Sequence, residues 1–271
     1  MGVLPRRAAV TAGALLASIV VAAAAMRAVS ANADMAAALS TAGAVAFAVF
    51  AVAAAWSLAS RLQRGEPLQV QVAAIGAGMA ALVAGDFVYW AHESLLRVEP
   101  YPSSADLLYI ASFPLLGGGL LLALRAFTRG QRQTVPLAVS AAVSLAGTVA
   151  VWLTVLGPLM GDTEASVLEK ALGAFYPLGD LWLLLFPALA LALALVRFAG
   201  GRLATPWAIV SFGALAMAAT DTAYTWLDYA GTYVSGSLVD VGWWVAYAAI
   251  GLGLVTLAEV QGVRGGRSRE R

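Results

Sequence analysis

Eight apolar stretches of about 20 residues or more, separated by short polar punctuation, dominate the chain. They run near 8 to 29, 35 to 59, 70 to 92, 104 to 126, 136 to 157, 170 to 197, 206 to 228 and 237 to 259. A helix of about 20 apolar residues crosses roughly 30 Å of hydrocarbon, so each stretch predicts one transmembrane helix. The stretches are continuously apolar and rich in alanine and leucine, without the alternation of a barrel strand. The expected fold is an all-α integral membrane protein of eight spans. Residues 1–261 form the membrane domain and 262–271 a basic tail, because no connecting loop is long enough to hold another domain.

Composition agrees with lipid as the solvent. Apolar residues make up 61% of the 271 and charged residues only 11%, too few to cover a water-facing surface. The absence of cysteine excludes disulfides, cysteine zinc sites and cysteine-ligated clusters. A net charge of +1 gives no pull towards nucleic acid, so the placement of the charges matters more than their sum. Arg6, Arg7, Arg61, Arg64, Arg125, Arg129, Arg132, Arg197, Arg202, Arg264, Arg267, Arg269 and Arg271 fall on one side of the eight-span arrangement. Arg27, Arg97 and Lys170 fall on the other. This split of 13 to 3 alternates correctly at every crossing and puts both termini in the cytoplasm of a cell whose inner (plasma) membrane holds the chain. Ala31-Asn32-Ala33 could pass for a signal-peptidase site, but the apolar run before it exceeds the usual signal length of about 7–15 residues, and an uncleaved first span is expected.

The halves show a faint duplication. Asp86-Phe87-Val88-Tyr89 is followed 20 residues after Asp86 by Asp106, and Asp221-Thr222-Ala223-Tyr224 is followed 19 residues after Asp221 by Asp240, which suggests a 4+4 internal repeat. Five aspartates, Asp86, Asp106, Asp180, Asp221 and Asp240, lie in or at the mouths of spans, and the orientation puts all of them in the outer half. Each ionised carboxylate in hydrocarbon costs roughly 2.5–3.5 kcal/mol unless it shares water, partners or protons. Tyr89, Trp90, Tyr101, Tyr109, Tyr176, Trp182, Tyr224, Trp226, Tyr229, Tyr233, Trp243 and Trp244 gather at the same level. Asp86, Tyr89 and Glu93 share one helix face, as do Asp221, Tyr224 and Asp228.

The plainest account of the aromatics is an interfacial belt, and of Asp106 and Asp240 a helix-opening role, since Pro102-Ser103-Ser104 and Ser235-Gly236-Ser237 precede them. Asp86 and Asp221 lie inside helices, where a cap explains nothing, and Asp180 after Tyr176-Pro177 fits either role. The candidate ligand-binding set is therefore Asp86, Tyr89, Asp106, Tyr109, Tyr176, Asp180, Asp221, Tyr224, Asp240 and Trp243. The lone His92 excludes a bis-histidine haem within one chain, and the lone Lys170 sits at a span's outer start rather than where a retinal Schiff base would need it. Gly76-Ala77-Gly78 and Gly117-Gly118-Gly119 lie inside spans and predict close helix packing rather than phosphate binding. No serine stands in a nucleophile elbow, and neither catalytic nor metal-ligating residues are expected.

The segments Tyr101-Pro102-Ser103-Ser104-Ala105-Asp106-Leu107-Leu108-Tyr109, Tyr176-Pro177-Leu178-Gly179-Asp180-Leu181 and Gly231-Thr232-Tyr233-Val234-Ser235-Gly236-Ser237-Leu238-Val239-Asp240-Val241-Gly242-Trp243, with the Asp221 motif, carry a resemblance. Over residues 80 to 255 the chain resembles the membrane-embedded sensory region ahead of GGDEF and EAL domains in diguanylate cyclases and phosphodiesterases of high-GC bacteria. The resemblance implies an eight-helix input module that controls cyclic-di-GMP turnover. This chain stops a dozen residues after its last span without a GGDEF, EAL, PAS or kinase segment, so it is not expected to make or degrade the dinucleotide itself. The expected function is a membrane sensor that binds an unknown small ligand or ion at its outer face and signals to a cytoplasmic partner or within a homodimer. The alternatives are a proton- or cation-coupled transporter using Asp86, Asp180 and Asp221, and an intramembrane lipid-processing enzyme using paired aspartates. The expected surroundings are the lipid bilayer, with no nucleic acid, and the sequence names neither ligand nor cofactor.

Overall fold

A computed structural model describes residues 4–97, 101–198 and 203–262, and of Glu93, Ser94 and Phe198 the backbone only. Arg202 and the basic tail beyond Gly262, with Arg264, Arg267, Arg269 and Arg271, lie outside the described residues. Among the described residues the regular structure is helical throughout. The helices are α1 (Arg6–Ala28), α2 (Ala33–Ala59), α3 (Pro67–Trp90), α4 (Ala105–Phe127), α5 (Thr134–Gly161), α6 (Val167–Arg197), α7 (Ala204–Tyr229) and α8 (Asp240–Val260). Each falls within a few residues of a predicted span.

All of these except α7 are long and apolar enough to cross a membrane, seven helices in the described residues, and they fit a multi-pass membrane protein. α7 is 26 residues long but carries Thr220, Asp221, Thr222, Thr225 and Asp228 in its last third. Its threonine hydroxyls donate back to carbonyls one turn earlier, Thr220 to Ala216 at 2.8 Å, Thr222 to Ala218 at 2.7 Å and Thr225 to Asp221 at 2.9 Å. Hydroxyls satisfied within their own helix need no water.

Local chemistry sets the helix ends. Asn32 accepts from the Met35 N–H at 3.1 Å to open α2, and Pro67 starts α3 where a missing N–H does no harm. α6 opens on a capping box in which Ser166 and Glu169 satisfy each other's backbone N–H groups. Within α6, Pro187 cannot donate to Leu183 and its ring crowds that carbonyl, and the helix widens into a π-helical turn over Asp180–Leu185. The Ser144 hydroxyl donates to the Leu181 carbonyl in that turn at 2.7 Å. Trp152–Leu156 widens in the same way ahead of Pro158 in α5.

Neighbours in space follow a simple order. α2, α3, α4, α6, α7 and α8 form a ring in which each packs against the next and α8 returns to α2. α1 lies on α8 and α2, and α5 lies on α6. These outlying helices turn aliphatic side chains outward, Val10, Leu16, Val20 and Val21 from α1 and Val135, Leu145, Val149 and Leu153 from α5, a surface suited to lipid.

Glycines let the ring close. A Cβ on Gly78 would meet Leu116, and one on Gly213 would meet Ile250 and the Ala246 carbonyl. Gly119 faces Ile75 and the Gln71 carbonyl, Gly253 faces Val210 and the Pro206 carbonyl, and Gly117 lies directly under the Leu183 carbonyl. These are the close backbone approaches that the small-residue runs predict. In mid-ring, Ile75, Leu116, Leu120, Leu184, Val210, Ala214 and Ile250 meet around a void of about 10 Å³, room for a single water at most.

Candidate functional site

The aspartates lie at one end of the ring, where α3 and α7 finish and α4, α6 and α8 begin, and they divide into two kinds. Asp106 and Asp240 are buried, each in the first turn of its helix, and each tethers a helix start. Asp106 accepts from the Ser103 N–H at 2.6 Å and from the Tyr176 hydroxyl on α6. Asp240 accepts from the Gly236 N–H at 2.7 Å, the Tyr233 hydroxyl at 3.0 Å and the Ser40 hydroxyl on α2 at 2.5 Å. Neither is the capping residue itself; each reaches back from inside the helix to an N–H in the preceding turn. Burial, and then the Asp240 carboxylate, push the Tyr233 hydroxyl above the usual tyrosine range, which keeps it a donor.

Asp86, Asp180 and Asp221 form the second kind. Asp86 accepts from the Tyr109 hydroxyl across the α3–α4 contact at 2.9 Å, and Asp221 accepts from the Trp243 Nε1 across the α7–α8 contact at 2.6 Å. Both turn into the bundle and both keep partial exposure, so they line a crevice rather than a sealed core. Asp180, the first residue of the π-helical turn, is 1% exposed and lies against Asp221. Its Oδ1 is buried with no hydrogen-bond donor. Tyr247, two turns into α8 and buried, stands within electrostatic reach of both Asp86 and Asp221. The three carboxyls therefore converge from α3, α6 and α7 on the centre of the ring, above its aliphatic filling.

Aromatic rings frame the crevice. Tyr224 meets Tyr233 edge-on at 4.8 Å between centroids and leans on Trp243 at 5.6 Å. Tyr89 and Tyr101 are exposed at the rim, and Tyr101 donates to the Glu169 carbonyl at 3.3 Å. Of the predicted stripes, Asp221 and Tyr224 face the site while Asp228 is exposed; the Glu93 side chain lies outside the described residues. Trp182 and Trp226 turn outward and behave as belt residues, Trp182 donating to the Thr148 hydroxyl at 2.9 Å. Among the described residues no group of three histidine, aspartate or glutamate side chains could hold a metal ion.

Two residues outside the predicted set, Tyr247 and Ser40, belong to this arrangement, and a third, Glu259, ties the opposite end of the bundle. Tyr247 follows Asp240 by seven residues and Trp243 by four, a helical spacing that puts it on the same face. Ser40 is one hydroxyl in an alanine-rich run, and nothing in the sequence singles it out. Glu259, at the far end of α8, accepts from the Arg7 N–H at 3.3 Å and the Ala8 N–H at 2.9 Å. A carboxylate near a helix C-terminus opposes its own dipole, and here it serves the open N-terminus of α1 instead.

Compared with known proteins, the chain matches no family model, no curated protein and no solved structure.

Proposed function

We infer that the chain is an eight-span inner-membrane sensor with both termini in the cytoplasm, a 4+4 repeat and a ligand site at the outer end of its ring. The observation that carries this reading is the convergence of three carboxyls at one end of a ring whose middle is closed by seven aliphatic side chains. A ligand can be bound above such a plug, whereas a carrier would need a polar route through it. α8 links the two ends physically. It holds Asp240, Trp243 and Tyr247 beside the site and ties Glu259 to the first turn of α1 at the other end. A small shift of α8 on ligand binding is thereby carried to the cytoplasmic surface. The proposed recipient is a cytoplasmic partner or a second copy of the chain, in cyclic-di-GMP control as the motif resemblance implies.

Matched contacts support the repeat. Gly78 against Leu116 corresponds to Gly213 against Ile250, and Gly119 against Ile75 and the Gln71 carbonyl corresponds to Gly253 against Val210 and the Pro206 carbonyl. Asp86 with Tyr109 corresponds to Asp221 with Trp243. Advancing four helices carries the ring order α2, α3, α4, α6, α7, α8 onto itself, as a two-fold axis along the ring would.

The test uses the absence of native cysteine. Spin labels at Arg129→Cys and Gln261→Cys, in protein reconstituted into nanodiscs, should change their separation when the site is occupied. Uptake of a cation into proteoliposomes, with no change in label separation, would replace the sensor by a carrier.

A further inference from the structure

We propose that the ligand is a small organic ammonium bearing N–H groups, bound one per chain between Asp180 and Asp221 beneath the Tyr224 and Trp243 rings. This rests on the sensor reading above and names the ligand class for that site. Asp180 Oδ1 is enclosed and lacks a donor, a state that proteins rarely leave uncompensated. Asp180 and Asp221 bear on each other, Asp221 is also met by Asp86 and by the Trp243 indole N–H, and none of these groups is basic. The site therefore lacks a positive charge, and Asp180 Oδ1 lacks a donor; a protonated amine supplies both at once. A quaternary ammonium supplies only charge. The described carboxyls do not form a metal-binding group.

The repeat explains the stoichiometry. Tyr176 and Gly179 of α6 match Ser40 and Gly43 of α2, each first member donating to the carboxylate in the opening turn of its neighbour and each glycine lying under an aromatic ring, Phe113 or Trp244. In that register the counterpart of Asp180 is Ala44. Asp86 thus has no second carboxyl beside it from α2, and the two-fold leaves a single paired site, on the Asp221 side. Trp243 holds Asp221 through its indole N–H and turns a ring towards Tyr224, so the aromatic face and the carboxylate are presented together.

The test is calorimetric titration of the full chain in detergent at pH 7 with n-butylammonium, tetramethylammonium and sodium chlorides at equal ionic strength. Saturable binding of n-butylammonium at one per chain is expected, with tetramethylammonium weaker by about tenfold or more, roughly 1.4 kcal/mol, and sodium inert. Asp180→Asn should abolish the preference for butylammonium over tetramethylammonium, and Asp86→Asn should retain it. Should Asp180→Asn fail to fold, Trp243→Phe, which removes the N–H holding Asp221 but keeps a ring, should weaken butylammonium binding. Equal binding of both ammonium ions, no binding, a preference that survives Asp180→Asn, or, where that variant does not fold, butylammonium binding undiminished in Trp243→Phe would overturn the proposal. A pair that merely shares a proton would show no butylammonium binding at any pH from 5 to 8, which also overturns it. Butylammonium binding without movement of the Arg129 and Gln261 labels would overturn the sensor reading and leave the ligand class standing.

Discussion

Removing the Asp240 carboxylate separates carboxylates that build the bundle from those proposed to bind. Asp240 is 1% exposed and accepts from the Ser40 hydroxyl, the Tyr233 hydroxyl and the Gly236 N–H, at 2.5, 3.0 and 2.7 Å. In Asp240→Ala the two hydroxyls can rotate towards other acceptors, but the Gly236 N–H cannot. A hydrogen bond to a charged group contributes about 1.5–3 kcal/mol, and a stranded buried donor costs about 1–3 kcal/mol. Part of the loss is offset because a buried anion no longer has to be desolvated. The net expectation is about 3–5 kcal/mol of lost stability. Asp240→Asn can keep its carbonyl on Ser40 and Gly236 and turn its amide towards the Tyr233 oxygen. It loses only the charge assistance, about 1–2 kcal/mol. Asp86→Ala gives up a single bond, from Tyr109, at a partly exposed position and should cost less than about 1.5 kcal/mol. Equilibrium unfolding in mixed micelles, titrated with sodium dodecyl sulfate, measures all three variants. The reasoning fails if Asp240→Ala is within about 1 kcal/mol of the unmodified chain, or if Asp86→Ala is as damaging.

Reporter fusions at Gly130 and Arg267 should read cytoplasmic and one at Asp162 external; an external reading at Arg267 would remove the eight-span topology. Gly117→Ala should abolish folded protein in the membrane, because the added methyl falls on the Leu183 carbonyl, whereas Gly118→Ala meets nothing within 4 Å and should gain about 0.5–1 kcal/mol from helix propensity. Comparable membrane levels and melting temperatures for the two would contradict the packing described. Glu259→Gln keeps an acceptor and should loosen α1 only slightly, but Glu259→Ala should speed amide exchange at Arg7 and Ala8 by about tenfold, as loss of about 1–2 kcal/mol of capping would; unchanged exchange would show that the contact does not hold the helix.

The helices and their order are legible in the sequence because apolar run length alone decides them in lipid, and even the starts of α4 and α8 follow from the Pro-Ser and Ser-Gly-Ser segments before Asp106 and Asp240. α7 is the one helix whose run is not apolar enough to be read as a span by hydropathy, and its hydroxyls bond inside their own helix instead. Asp86 and Asp221 could be marked as unusual because a helix interior offers a carboxylate no local partner. The meeting of Asp180 with Asp221 could not be read, since it depends on how α6 turns where Pro187 widens it. Ser40 was illegible for the same kind of reason: its partner is 200 residues away, and only the α2–α8 contact joins them. Tyr247 and Glu259 were within reach, the first by its spacing from Trp243 and the second by its unfavourable place at the end of its own helix.

At Gly117 the backbone of α6 rests on the backbone of α4 with no side chain between them, so this closest contact is the natural fulcrum for any tilt of one helix on the other. Rocking makes α6 a lever with unequal arms. From Leu183 to Asp180 the rise is about 4.5 Å along the helix, and from Leu183 to Arg197 about 21 Å. A displacement of about half an ångström at the carboxyl end would therefore swing the arginine end by roughly 2 Å in the opposite direction. Stiffness of the long arm sets how much of that gain survives, and a glycine placed in Ala188–Leu195 would shorten the throw without touching the site.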